Sequence, residues 1–532
     1  MDTSDYDEYL GRLVAKLERQ PIAALETVDA DRDPGRPPTS DEDPLNAIVR
    51  WCSVRARQPW NRLLSGRKVV VKDVMPVAHV PMTGGSRALH GFVPHDDCTV
   101  VARLLRAGAE IAAVSNMDEL GASVAGDTSC YGATLNPHDR TRSAGGSSGG
   151  SAAALSYPGI EIALGCDQGG SVRVPAAWCG VLGLKPTHGL VPYAGALSLE
   201  CSLDHVGVIA RSARDLAVTL QAIRADHHPE PPTWAPVGEY LAAVQRPAHN
   251  LDGWRLGFVV ESLDDEVEPD EGVAGATFGA LERLEGVGAE VARINVAEHT
   301  IGDVQAVLLL TGMSRLAQGA PTRSGPDGHS DALARALRSG LRAQAPALSP
   351  DLVEVLEAGR RLRRQFPASV YETAQRVARA ARAGVDRALA EHDFLVLPTT
   401  PVPPFGPDKN PPPHGTFARR GRPLANTALF NVTGHPALTL PLAQADGLPV
   451  GLMFVARYGH EARLLAFAAS CEEILGWTPQ LGSRSAGGPN RRAGEPTSAS
   501  ARPRSRARSR GSAVDLGHET TPLGEPTVPI AT

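Results

Sequence analysis

From Lys68 onward the chain repeats one pattern: a short apolar run, a stretch with apolar residues at helical spacing, then another short apolar run. Val69-Val70-Val71 suits a strand buried on both faces, and Thr99 to Gly108 has helical spacing with a glycine stop. Ile111 to Val114 then reads as the next strand. The same grammar returns as strands at 160–166, 254–260, 290–296, 394–397, 437–442 and 450–456, with helices at 213–224, 275–284, 377–390 and 460–475. Alternation kept up over about four hundred residues without a linker-like break predicts one large α/β body. The helix-rich stretch from 300 to 375 is expected to form a lid or a pocket wall.

Three segments follow. Residues 1–60 read as a lead-in, with a helical stretch from Tyr9 to Glu18 and then polar, Pro-rich chain; 61–482 form the body. Residues 483–532 are rich in Ser, Arg, Pro and Gly, bury too little apolar area to offset chain entropy, and are expected to be disordered. That tail carries eight Arg against four acids, so the net charge of −6 leaves about −10 on the rest. An acidic body without a basic stripe argues against a nucleic-acid partner. No apolar run reaches membrane-spanning length, and MDTSDYDEYLGRL lacks the basic-then-apolar order of a signal peptide, so a cytoplasmic protein is expected. Seven cysteines with no C-x-x-C pair suit reduced thiols better than disulfides or structural zinc.

Two glycine- and serine-rich loops stand out. Ser143-Ala-Gly-Gly-Ser-Ser-Gly-Gly-Ser151 could be a flexible linker by composition, but it lies inside the alternating body and runs into an Ala-rich helix start. It matches G-x-S-x-G twice, yet no apolar strand precedes it, which weakens an α/β-hydrolase reading; His435, the available later histidine, reads as a structural hydrogen-bonder. The second loop, Gly165-Cys-Asp-Gln-Gly-Gly-Ser171, does follow an apolar strand. It lacks the Lys-Ser/Thr pair of a phosphate loop, whereas a serine after two glycines at a strand's carboxyl end can sit beside free amides, as acyl transfer needs. Ser171 is therefore the candidate nucleophile. No histidine lies in either loop, and Lys72, ending the run at 69–71, is the alternative base, because burial favours its neutral form. A lysine at a strand end also serves simply by snorkelling to water, so Lys72 alone decides nothing.

Val70-Val-Lys-Asp73, the run from Gly145 to Ser151, Asp167 through Pro175, Cys179-Gly, Gly183-Leu-Lys-Pro186, Asn426-Thr-Ala, Thr433-Gly-His-Pro-Ala437 and Gly447 to Gly451 together resemble the amidase signature family. The resemblance spans about 65–475, and within the family it is closest to bacterial enantioselective amidases of nitrile degradation. It implies a single α/β domain with a central mixed, twisted sheet flanked by helices. It also implies a Ser-Ser-Lys triad: Lys72 as base, Ser147 as a bridging serine across a cis peptide, and Ser171 as the acylated nucleophile. Gln168, Gly169 and Gly170 match the oxyanion-hole donors, with no metal and no cofactor.

Ser148, Asp167 and Arg173 are supporting candidates, the last two read as a structural ion pair. Asp96-Asp97, just before Thr99, is expected to cap the helix, and Cys166 and Cys179 are expected to be small core residues. The expected reaction is hydrolysis of a small carboxamide to carboxylate and ammonia or amine through an acyl-serine. The alternatives are a glutaminase like the A subunit of an amidotransferase, supplying ammonia to a partner, or an amide-forming acyltransferase. The expected partner is a small-molecule amide; nucleic acid and membrane are not expected, and a homodimer is left open.

Overall fold

A computed structural model describes residues 7–12, 15, 28–225, 239–264, 267–318, 330–407 and 421–477. Twelve strands share one sheet: β1 Ala30–Arg36, β2 Ile48–Ala56, β3 Lys68–Lys72, β4 Glu110–Ser115, β5 Ile162–Asp167, β6 Leu182–Lys185, β7 His205–Ala210, β8 Arg255–Val259, β9 Glu290–Ile294, β10 Phe394–Pro398, β11 Ala437–Ala445 and β12 Leu448–Val455. Their spatial order is β1-β2-β4-β3-β5-β7-β6-β11-β12-β10-β8-β9. The sheet is mixed: β3 pairs parallel with β4 and β5, while β5 pairs antiparallel with β7.

The valine run of β3 shows why its pattern is continuous rather than alternating. Val69 and Val71 pack into the larger core cluster and Val70 into a second one, so both faces of the strand are covered. Neighbouring β5 behaves alike, with Ile162 and Leu164 on one side and Ala163 on the other. The helix Thr99–Arg106 carries the chain from β3 to β4 and ends before Gly108, whose φ is 86°. A later helix, Ala213–Ile223, starts where the Ser212 side chain accepts from Asp215 N. Three adjacent parallel strands thus present their carboxyl ends together, at Lys72, Ser115 and Asp167. In an open α/β sheet a ligand crevice forms at such strand ends.

Several sequence expectations need correcting. Residues 28–60 are not merely a lead-in, because β1 and β2 lie there and join the main sheet through β4. Pro34 sits in β1 at the sheet edge, where a missing N–H is tolerated, so Pro-rich composition hid a strand. β6 and β7 are further strands beyond those expected. Asp97 does not cap the helix at Thr99; its carboxylate is held by both Arg32 terminal nitrogens at 3.0 and 2.6 Å and by Ala78 N at 2.8 Å. The cap residue is Cys98, which makes no side-chain cap bond. The N-terminal helix is described only over part of its expected range, and the 483–532 segment lies outside the described residues. Cys166 and Cys179 are buried. Among the described residues no helix is long and apolar enough to cross a membrane.

Candidate active site

Lys72 ends β3 with its side chain 1% exposed. Burial lowers its pKa from 10.5 to about 8, against the pull of Cys166, Asp118 and Asp167. Its Nζ donates to Ser147 Oγ at 2.7 Å, and Ser147 is fully buried. The Gly146–Ser147 peptide is cis, and the loop leads into the short helix Gly149–Ala153. A side chain on Gly146 would collide with Asp118 Oδ2, so that close approach requires glycine.

Ser171 follows β5 and the turn of Gln168, Gly169 and Gly170. It is 4% exposed and lines a cleft with Gln168, Gly169, Ala122, Val124, Gln305 and Leu309. Lys72 and Ser147 do not line it. The cleft therefore meets the second loop directly, with the lysine and first serine sealed behind it. Ser148 links the two loops: its N–H donates to Ser171 O at 3.1 Å and its Oγ to Cys166 O at 3.2 Å.

Asp167 and Arg173 bracket the turn as a fully buried pair, Arg173 Nη2 to Asp167 Oδ1 at 2.9 Å and Nε to Oδ2 at 3.0 Å. Burial alone would raise the carboxyl's pKa, but the guanidinium overrides it and holds Asp167 at about 2. Val172 N also donates to Asp167 Oδ2, closing the turn between strand and helix Arg173–Cys179. Arg173 reaches further, to Thr427 O at 3.0 Å and Asn431 Oδ1 at 2.6 Å. Gln168 is tied by its side chain, Nε2 lying 3.0 Å from both Tyr193 Oη and Asp204 Oδ1.

His435 is fully buried and bonded to Thr433 Oγ1 and Asp386 Oδ1, each at 3.0 Å, so the geometry gives it a structural part. Of the 300–375 stretch, Gln305 and Leu309 on the helix Asp303–Ala317, together with Asp351, form part of the cleft wall. Three residues at the site had no role in the sequence reading. Gln305, Thr427 and Asn431 all bond the 167–169 turn. Thr427 lay inside a recognised motif, while nothing in the sequence around Gln305 signals it.

A family model described as Amidase matches residues 50–465. The chain belongs to the amidase family. Its fold is that of amidase signature proteins, and it is an amide-hydrolysing enzyme. The A subunit of the glutamyl-tRNA(Gln) amidotransferase of Haloarcula marismortui is 35% identical over 413 residues, covering 74% of this chain and 91% of that one. The crystal structure of the corresponding protein from Thermotoga maritima superposes with a TM-score of 0.65 at 26% identity, covering 81% of this chain and 87% of that one. A 6-aminohexanoate cyclic dimer hydrolase superposes with a TM-score of 0.67 at 26% identity, covering 78% and 87%.

Proposed function

We propose that this amidase cleaves a carboxamide through an acyl-Ser171 intermediate, with Lys72 as base and Ser147 as the relay between them. The observation that carries this reading is the 2.7 Å contact of a fully sealed Lys72 Nζ with Ser147 Oγ, behind a cleft that Ser171 lines. Neutral Lys72 draws the proton of Ser147, which draws that of Ser171 as Oγ attacks the carbonyl carbon. The resulting oxyanion is met by backbone amides of the 168–171 turn; losing one such donor typically costs on the order of 10² to 10³ in rate. The proton returns through Ser147 to the nitrogen, the C–N bond breaks, and ammonia or an amine leaves. Water then repeats the sequence on the acyl ester, releasing carboxylate and restoring Ser171.

Two readings of the substrate remain, each with its own support. The names of the relatives favour a component of an amidotransferase: glutamine would be the acyl donor, and a partner chain would receive the ammonia. The largely apolar cleft favours a stand-alone amidase on a small carboxamide. Ala122, Val124, Leu309 and Leu424 make much of its wall, beside the buried Asp351.

The test is a panel of simple amides alongside glutamine, with the isolated chain and Ser171→Ala. Robust release of ammonia or amine from simple amides, lost in Ser171→Ala, supports the stand-alone reading. Glutamine preference together with a copurifying chain supports the amidotransferase reading. Unchanged turnover in Ser171→Ala refutes both.

A further inference from the structure

We infer that Thr427 and Gln305 are positioning residues that aim the amides of the oxyanion turn, by holding the carbonyls on the far side of the same peptide units. Three successive carbonyls of the turn accept from side chains remote in sequence. Asp167 O accepts from Asn431 Nδ2 at 2.9 Å, Gln168 O from Gln305 Nε2 at 3.0 Å, and Gly169 O from Thr427 Oγ1 at 2.5 Å. A trans peptide is planar, with C=O and N–H pointing opposite ways. Fixing the Gln168 carbonyl therefore fixes the direction of Gly169 N–H, and fixing the Gly169 carbonyl fixes that of Gly170 N–H.

The ends of the turn are held by the Asp167–Arg173 pair and by Val174 N donating to Gly170 O at 2.8 Å, while these partners hold the peptide units between them. Gly170 has φ 148°, a conformation with no side chain to define it. Among the described residues no protein group accepts from the amides of Gly169 or Gly170, which leaves them for a ligand oxygen. The approach of the two clamps uses both glycines: a Cβ on Gly169 would lie 2.9 Å from Gln305 Nε2, and one on Gly170 would collide with Thr427 Oγ1. The clamps come from separate parts of the fold. Gln305 is on the helix Asp303–Ala317 and Thr427 precedes the short helix Leu429–Val432, so the turn is braced against two elements whose separation the core fixes. Thr427 is fully buried, so it acts on the turn and not on the substrate.

The inference rests on the acyl-Ser171 reading, and the experiment separates the two. Thr427→Val keeps the shape and removes the donor; Thr427→Ser keeps the donor. Each variant is measured for kcat and KM on a working amide. Each is also measured for binding of a boronic acid bearing the same acyl group, whose adduct with Ser171 places an oxygen at the oxyanion position, and for binding of the product carboxylate. For Thr427→Val the expected result is kcat lower by about tenfold or more, boronate affinity lower in parallel, and KM and carboxylate affinity changed by less than about twofold. Thr427→Ser should recover most of the loss. Should Thr427→Val not fold, Gln305→Met carries the same comparison through the ratio of boronate to carboxylate affinity, which a packing defect alone leaves unchanged. Normal kcat and boronate affinity in a folded clamp variant, or an effect on KM alone, overturns the inference. An active Ser171→Ala sinks the functional reading beneath it instead.

Discussion

Lys72 Nζ lies 2.7 Å from Ser147 Oγ, and neither side chain reaches solvent. Burial is what separates this lysine from an ordinary surface one, because it removes water from the ammonium and leaves a base titrating near pH 8.

A pH profile of kcat/KM follows from that. The neutral amine is the working form, so activity should rise with pH through an apparent pKa of about 8 and then level off. Lys72→Arg keeps the charge but cannot deliver a neutral base in this range, and should cut the rate by about 10² or more. A profile flat from pH 6 to about 9 contradicts a titrating base of this kind.

The buried Asp167–Arg173 pair sets a different pH limit. The carboxyl is held at about 2, below its usual 3.8, so its contribution to stability is present above the unfolded value and is lost as pH falls toward 2. Arg173→Met leaves a fully buried carboxylate unpaired and should cost about 3–5 kcal/mol, read as a lower urea midpoint. A midpoint unchanged in Arg173→Met would show that the pair is not a keystone of the turn.

Gly170→Ala tests the turn itself. A φ of 148° and the nearness of Thr427 Oγ1 leave no room for a methyl group. We expect at least about 1–3 kcal/mol of strain, together with a fall in kcat larger than any change in KM. Full activity in Gly170→Ala means that the turn has another conformation that serves catalysis.

The sequence exposed the parts of this fold whose chemistry is local. β3, β5 and the body helices were legible because a strand covered on both faces is continuously apolar and a helix repeats its apolar face. β1 was hidden because an edge strand tolerates Pro34 and mostly exposed side chains. At the site, Lys72 and Ser171 stood out through the residue types that acyl transfer demands, whereas Ser147 was singled out only by the resemblance to the amidase signature family. Gln305 did not stand out, since an amide that grips one backbone carbonyl leaves no pattern in its neighbours. Its role exists only once the helix carrying it is packed against the turn.

The covalent step offers the most direct measurement. Mixing the protein with a slowly hydrolysed ester or amide of a small acyl group, followed by intact-mass analysis and peptide mapping, should give one adduct of acyl mass on Ser171. The adduct should be absent in Ser171→Ala and should form more slowly in Lys72→Arg. Turnover that leaves no adduct at Ser171, and that Ser171→Ala sustains at the wild-type rate, would contradict the account.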